Sequence, residues 1–209
     1  MNRPRHLCVM AGTGTEVGKT WVTCRLLESA RKRGLQVAAR KPAQSFEAGQ
    51  PTDAELLAEA TGEALHAVCP EHRWYAVPMA PPMAADVLGR ERLLLDDLIA
   101  EIRWPSGVDL GCVEIAGGLR SPIAHDADNV ELIERIGPDA IVLVADAGLG
   151  TINSVRLSLA ALAGRRVHVY LNRFDATNEL HVRNRAWLVD VYGVDVSITP
   201  DALLERFRA

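Results

Sequence analysis

The stretch Gly12-Thr13-Gly14-Thr15-Glu16-Val17-Gly18-Lys19-Thr20 decides how the rest of the chain is read. The apolar run Leu7-Cys8-Val9-Met10-Ala11 feeds into it, and a helical pattern leaves it. A strand, a glycine-rich turn and a helix opening on Gly-Lys-Thr form a phosphate cradle. The N–H groups of the turn and of the helix N-terminus point at the anion, and the lysine adds a mobile positive charge. The spacing is a variant: five residues separate Gly12 from Gly18, where the simple pattern has four and needs glycine at Thr13. A glycine-rich turn with an incidental lysine is the alternative, and the strand–turn–helix context speaks against it.

Outward from this loop, strands and helices alternate. Lys19 to Arg33 reads as a helix, with Val22, Leu26 and Ala30 on one face and Gly34 as its stop. Val37–Ala39 reads as a short strand ending in Arg40-Lys41-Pro42, and Ala43 to Pro51 as a loop. Thr52-Asp53-Ala54-Glu55 has the form of a capping box opening a helix that reaches Ala60. His66 to Pro82 reads as irregular, Met83–Leu88 as a short helix and Glu91–Ile102 as an amphipathic one. Strands follow at Leu110–Val113, Ala140–Ala145 and Val167–Leu171, with helices at Asn129–Ile136, Thr151–Ala163 and Leu180–Tyr192. A weak strand at Val194–Ile198 and a short helix after Pro200 close the chain. This alternation predicts an α/β fold with a mostly parallel central sheet covered by helices on both faces. Ligands then bind beyond the carboxyl ends of the strands. Five chemically loaded loops should converge there: Gly12–Thr20, Lys41–Ser45, Glu114–Gly118, Asp146–Asn153 and Asn172–Asp175.

The 209 residues suit one domain spanning 1–209, and no repeat, low-complexity segment or linker divides them. The net charge of −4 and the lack of a basic cluster interleaved with aromatics predict no nucleic-acid partner. The longest apolar runs are too short to span a bilayer and residues 1–5 lead into a strand, so a cytoplasmic protein is expected. None of the four cysteines forms a C-x-x-C pair, so buried thiols are expected over disulfides or a metal site.

Lys19 should reach the outer phosphates of a nucleotide and Thr20 should offer its hydroxyl to Mg²⁺. That ion needs one or two carboxylates besides the phosphates. Glu114 at the end of a buried strand is the first candidate, against a plain solvated strand end. Asp53 is the second, and its position at a helix N-terminus fits macrodipole stabilisation equally well. Lys41, pinned by Pro42, faces the same edge; two lysines there would stabilise a transferring phosphoryl group, or Lys41 is a solvated strand-end residue. Gly148-Leu149-Gly150 before Thr151 is a second helix N-terminus ready for an anion, or a close-packed turn. Asn172 could hydrogen-bond a purine, or simply serve its loop. No histidine pair has metal-ligand spacing.

Taken together, these residues resemble the dethiobiotin synthetases, a family with the three-layer P-loop NTPase fold. The resemblance runs over residues 7–175. It rests on the 12–20 loop, Lys-Pro-Ala-Gln-Ser at 41–45, Thr-Asp-Ala at 52–54 and the proline-rich 78–85. Val113-Glu114-Ile115-Ala116-Gly117-Gly118 and Gly148-Leu149-Gly150-Thr151-Ile152-Asn153 complete it. It implies an ATP- and Mg²⁺-dependent closure of 7,8-diaminononanoate (diaminopelargonate) and CO₂ or bicarbonate to a cyclic urea; the chain's departure from the family at residues 197–200 admits other triphosphates as well. It implies that Lys19 and Lys41 stabilise carbamate and phosphoryl charge, that Thr20, Asp53 and Glu114 hold Mg²⁺, and that Thr15 and Ser45 contact carbamate or phosphate oxygens. Gly14, Thr15, Glu16, Val17 and Gly18 would wrap the nucleotide, Glu16 in a closing loop, with Glu114 and Asn172 completing that site. It further implies a homodimer in which Leu149, Gly150, Thr151 and Asn153 of one subunit receive the carboxylate of substrate bound to the other. The chain departs from the pattern at Ile115, where glycine is usual, and at Ser197-Ile198-Thr199-Pro200, where a Gly-x-Ile-Pro-like segment is common. A partitioning or septum-positioning ATPase is the rival reading; such proteins usually carry a lysine where this chain has Thr13. The sequence also permits an inactive paralogue.

Overall fold

Alternate residues of the strand feeding the glycine loop, β1 (His6–Gly12), belong to different cores. In the computed structural model of the chain, Leu7, Val9 and Ala11 pack into one buried cluster, Cys8 and Met10 into another. Successive side chains of a strand point to opposite faces, so a sheet with helices on both sides needs apolar residues at every position. The structure describes residues 2–47 and 49–207; the ends of the 1–209 span, residues 1, 208 and 209, lie outside them, as does residue 48 of the 43–51 loop.

After β1 come α1 (Lys19–Lys32), β2 (Val37–Arg40), β3 (Gln44–Ser45), α2 (Asp53–Thr61) and α3 (Leu65–Val68). A 3₁₀ turn at Glu71–Arg73 leads to β4 (Trp74–Tyr75), α4 (Pro81–Val87), α5 (Leu95–Glu101) and β5 (Leu110–Glu114). β6 (Pro122–Ala124) and β7 (Ala127–Asp128) form a small hairpin before α6 (Asn129–Ile136), β8 (Ala140–Asp146), α7 (Thr151–Ala161) and β9 (Val167–Asn172). α8 (Glu179–Ala186) runs into a π turn at Trp187–Val191, and β10 (Val196–Ser197) and α9 (Pro200–Glu205) follow. Six strands make one parallel sheet in the order β10-β9-β8-β1-β5-β2. The α/β, mostly parallel, three-layer fold expected from the sequence is therefore present.

Val22 and Leu26 of α1, Leu57 of α2 and Leu203 of α9 fill one face of the sheet; Leu98 of α5, Leu132 of α6 and Val155 of α7 fill the other. Each fully buried aliphatic side chain contributes about 1.5–3 kcal/mol. From β1 the chain goes to the edge strand β2, returns to β5 beside β1 and then crosses to β8, β9 and β10; because the sheet is parallel, the loops after β1, β2 and β5 leave the same edge.

The expected helices and strands are present, with differences concentrated between residues 43 and 102. Gln44–Ser45 was expected in a loop but pairs in parallel with Trp74–Tyr75, a two-residue contact that leaves no periodicity to read. The 66–82 segment holds α3, the 3₁₀ turn and β4, and α4 starts on Pro81-Pro82, where the fixed φ suits a helix start. The helix expected from Glu91 begins at Leu95, because Leu93 N donates to His125 Nδ1 (2.9 Å) and Leu95 N to Asp126 Oδ1 (3.0 Å), holding the lead-in extended. The helix expected to Tyr192 changes to π geometry at Trp187. All four cysteines are unbridged, and the Cys8 and Cys112 thiols face each other across β1 and β5 at 3.0 Å. Among the described residues no helix is long and apolar enough to cross a membrane.

Candidate active site

Gly18 caps α1 with φ 87°, and a Cβ there would stand 2.1 Å from Asn172 Nδ2. Both facts require glycine. The reason for the close approach is structural: Asn172 Nδ2 donates to the Val17 carbonyl at 3.0 Å and braces the loop from β9. No side chain caps α1 and its first turn carries no acid, so its leading N–H groups keep the positive end of the helix dipole open to an anion. Lys19 Nζ donates back to the Gly14 carbonyl at 2.9 Å. Burial first, and the nearby Lys41 charge next, lower its pKa to about 8.

Lys41 is 2% exposed, which overturns the solvated strand-end reading. Its Nζ lies 2.6 Å from Asp53 Oδ2, 2.9 Å from Glu114 Oε1 and 3.5 Å from the Ile115 carbonyl. Burial alone would depress its pKa, but Glu114 and Asp53 reverse that and hold it above the ordinary lysine value. Burial pushes the Asp53 carboxyl up, and the Lys41 charge overcomes this and holds it below the usual range. Thr20 Oγ1 sits 2.7 Å from Asp53 Oδ1 and 2.8 Å from Glu114 Oε1. The expected capping box holds Asp53 in place: Thr52 N donates to Glu55 Oε2 at 2.7 Å and Glu55 N to Thr52 Oγ1 at 3.3 Å. Asp53 thus faces the lysine and the loop, beyond any macrodipole role. Glu114 is fully buried rather than a solvated strand end. Ile115, at the position where glycine is usual, is buried in the core and turns its carbonyl to Lys41.

Above this network lies a cleft of about 800 Å³. Thr15, Glu16, Gly18, Lys19, Thr20, Lys41, Ser45 and Asp53 are among the residues that line it. Phe46, Pro78, Met79, Ala80 and Pro81 give it an apolar wall. Gly14, Val17, Glu114 and Asn172 stand behind the lining, holding it through the hydrogen bonds above. Thr20, Asp53 and Glu114 bring three hard oxygen donors together, a set that fits Mg²⁺, whose remaining positions go to phosphates and water. Among the described residues no group of three or more His, Cys, Asp or Glu side chains could hold a metal ion.

Three residues escaped the sequence reading. Thr23, one helical turn beyond Thr20, donates from Oγ1 to Glu114 Oε2 at 2.8 Å and fixes that carboxylate; its i+3 spacing was the available signal. Gln44 accepts from Ala54 N at 3.0 Å, tying the Lys41 loop to α2, while its Nε2 is buried without a partner. Arg173 joins Asp146 Oδ2 (2.9 Å) to the Glu16 carbonyl (3.0 Å), and Arg173 and Glu16 are the non-glycine residues with positive φ among those described.

The turn at 148–150 lies apart from the cleft. Gly150 caps α7 at φ 90°, Leu149 is 92% exposed, and Asn153 is exposed. Gly148 N donates to Asp146 Oδ1 at 2.8 Å, and Asn184 Nδ2 holds the Ala147 and Gly148 carbonyls. Thr151 Oγ1 is buried at the helix end with no hydrogen-bond partner.

Every candidate residue falls within residues 6–176, which match a family model described as an AAA domain. The signal recognition particle receptor FtsY from Elizabethkingia anophelis shares the fold, with a TM-score of 0.55 at 16% identity over 100% of this chain and 67% of that one. Sequence relatives are nearer. The ATP-dependent dethiobiotin synthetase BioD of Caulobacter vibrioides (strain NA1000 / CB15N) is 42% identical over 168 residues, covering 77% of this chain and 75% of that protein. Its namesake from Anaeromyxobacter dehalogenans (strain 2CP-C) is 42% identical over 159 residues, covering 75% and 70%. The namesake from Rhodococcus jostii (strain RHA1) is 39% identical over 159 residues, covering 75% and 68%. With relatives at this identity and coverage, and a family model matching most of its length, the chain belongs to the ATP-dependent dethiobiotin synthetase family.

Proposed function

We propose that this chain is an ATP-dependent dethiobiotin synthetase that joins 7,8-diaminononanoate and CO₂ into the cyclic urea of dethiobiotin. One amine takes up CO₂ as a carbamate. A carbamate oxygen attacks the γ-phosphorus of ATP, releasing ADP and leaving a carbamic–phosphoric anhydride. The second amine attacks the carbonyl carbon, and phosphate departs as the ring closes. That last attack is intramolecular, so holding the chain in place removes much of its entropic barrier. The observation that carries this reading is a second lysine, Lys41, buried beside the phosphate loop at the floor of a cleft with one apolar wall.

In this reading Lys19 and Lys41 stabilise charge on the transferring phosphoryl and carbamate oxygens, where low dielectric strengthens the effect. Thr15 and Ser45 donate to those oxygens, and Phe46, Met79 and Pro81 suit the methylene chain. Thr20, Asp53 and Glu114 hold Mg²⁺, which supplies charge neutralisation on the phosphates when bound. Asn172 gives one of its two N–H donors to Val17, and its Oδ1 can accept from an adenine amine. The enzyme acts in the cytoplasm as one domain per chain and as a homodimer. Exposed Leu157, Trp187 and Val191 support an interface on α7, α8 and the π turn, which Arg156 joins by stacking on Tyr192 at 4.3 Å. There Leu149, Gly150, Thr151 and Asn153 receive the carboxylate of substrate held by the other subunit, which gives the unpartnered Thr151 hydroxyl an acceptor.

Phosphate release measured with and without the diamine and bicarbonate tests the reading, alongside mass spectrometry for the cyclic urea. Diamine-dependent release with product formation is expected. Release indifferent to the diamine, with no cyclic urea, removes it in favour of a nucleotide switch.

A further inference from the structure

An ammonium group has three N–H donors. Lys41 Nζ faces three acceptors, Asp53 Oδ2 at 2.6 Å, Glu114 Oε1 at 2.9 Å and the Ile115 carbonyl at 3.5 Å. In this arrangement nothing is left for a phosphoryl or carbamate oxygen, and the side chain is 2% exposed. The same two carboxylates, with Thr20 between them, form the oxygen set that fits Mg²⁺. One carboxylate pair therefore has two claimants.

We propose that Lys41 and the divalent cation alternate on Asp53 and Glu114: Lys41 holds the pair, gives it up as the metal enters with nucleotide, and only then meets the phosphoryl group. The inference rests on the reading of Thr20, Asp53 and Glu114 as the metal site. Three local features favour exchange over coexistence. Glu114 Oε1 already serves both Lys41 and Thr20, so it has little capacity for a further cation. Thr23 pins the other oxygen, Oε2, so the carboxylate cannot turn to offer a fresh one. Lys41 is anchored at its backbone by a 2.8 Å hydrogen bond from its N–H to the Val68 carbonyl, so its four-carbon stem can swing while the strand stays fixed. Nucleotide phosphates supply the acceptors that the released N–H groups lack. Metal entry and delivery of the lysine become one event, and the resident ammonium suppresses metal binding without nucleotide.

The test uses Mn²⁺ as probe, read by electron paramagnetic resonance on the full chain without nucleotide. Lys41→Met should bind Mn²⁺ at least tenfold more tightly than the natural chain. A second measurement needs no folded variant at a buried charge: lysine labelled with ¹³C at Cε in the natural chain. The buried Lys41 resonance should move when Mg²⁺ joins a non-hydrolysable ATP analogue and stay in place with the analogue and EDTA. Equal Mn²⁺ affinities, or a Lys41 resonance unmoved by metal, overturn the exchange and leave two coexisting cations. Mn²⁺ that binds neither protein even with nucleotide removes the metal site itself, and this inference with it. Neither readout involves the diamine or turnover, so the fate of the cyclic-urea reading is decided separately.

Discussion

Two helix ends in this molecule are locally alike. Gly18 and Gly150 each cap a helix in the left-handed conformation, neither cap receives a side-chain hydrogen bond, and neither first turn contains an acid. By backbone alone both are anion sites. Their surroundings differ. The first sits in a cleft between two lysines, over the buried Glu114 carboxylate and the partly exposed Asp53 carboxylate; the second stands at the surface beside a leucine almost wholly exposed, with an unpartnered threonine hydroxyl. A helix end supplies partial charge and geometry, and the neighbouring side chains decide whether it does phosphate chemistry or holds a carboxylate.

The largest expected effect breaks the first site while sparing its backbone. Lys41→Ala should lower kcat by about 10²–10³-fold, the usual cost of removing one donor aimed at developing charge. Equilibrium binding of a nucleotide analogue should change little, because the loop and Lys19 remain. Steady-state kinetics beside calorimetric titration check this. Normal turnover would take Lys41 out of the chemistry and make the two helix ends more alike than proposed.

The next effect comes from pH. Lys19 has its pKa lowered to about 8, whereas a phosphate partner needs the ammonium. Above pH 8 binding must therefore take up a proton, and nucleotide affinity should fall about tenfold per pH unit. Titrations at pH 7, 8, 9 and 10 check it. The same depression has an opposite sign for folding. Between about 8 and the ordinary 10.5 the unfolded chain carries the proton that the folded chain has lost, so fold stability gains from rising pH in that window. An affinity flat to pH 10 would show that Lys19 does not hold the anion in its charged form.

Much of the first helix end was legible in the sequence, because its signals are local. The glycine spacing, the capping box at Thr52–Glu55 and the apolar run of β1 each lie within ten residues. The positions of Asp53 and Glu114 were readable but their roles were not, since each also fitted a bland reading until Lys41 was found between them. Thr23, Gln44 and Arg173 act through partners 10 to 157 residues away, and no short window holds such a contact. The β3–β4 pairing was hidden for the same reason: two residues carry no periodicity, and their partner lies 30 residues on. The second helix end was the least legible. Its glycines were plain, yet in the proposed dimer its acceptor belongs to another molecule, and a single chain offers no residue from which to infer it.

The smallest effect probes that second end. Thr151 Oγ1 has no partner within the chain, so Thr151→Val removes a hydroxyl without stranding any donor or acceptor and should leave the melting temperature unchanged or slightly raised. If that hydroxyl donates to a substrate carboxylate, its loss removes one hydrogen bond to a charged group, about 1.5 kcal/mol, or roughly tenfold in KM for the diamine. KM for ATP should stay put, because the substitution lies outside the phosphate cleft. The split between the two KM values separates this from general damage, which would move both. Sedimentation velocity on the same protein shows whether the assembly has changed. An active monomer would leave the second helix end with no neighbouring substrate to serve, and an unchanged KM for the diamine in an intact dimer would leave it a capped turn. In either case the likeness to Gly18 would be one of backbone only.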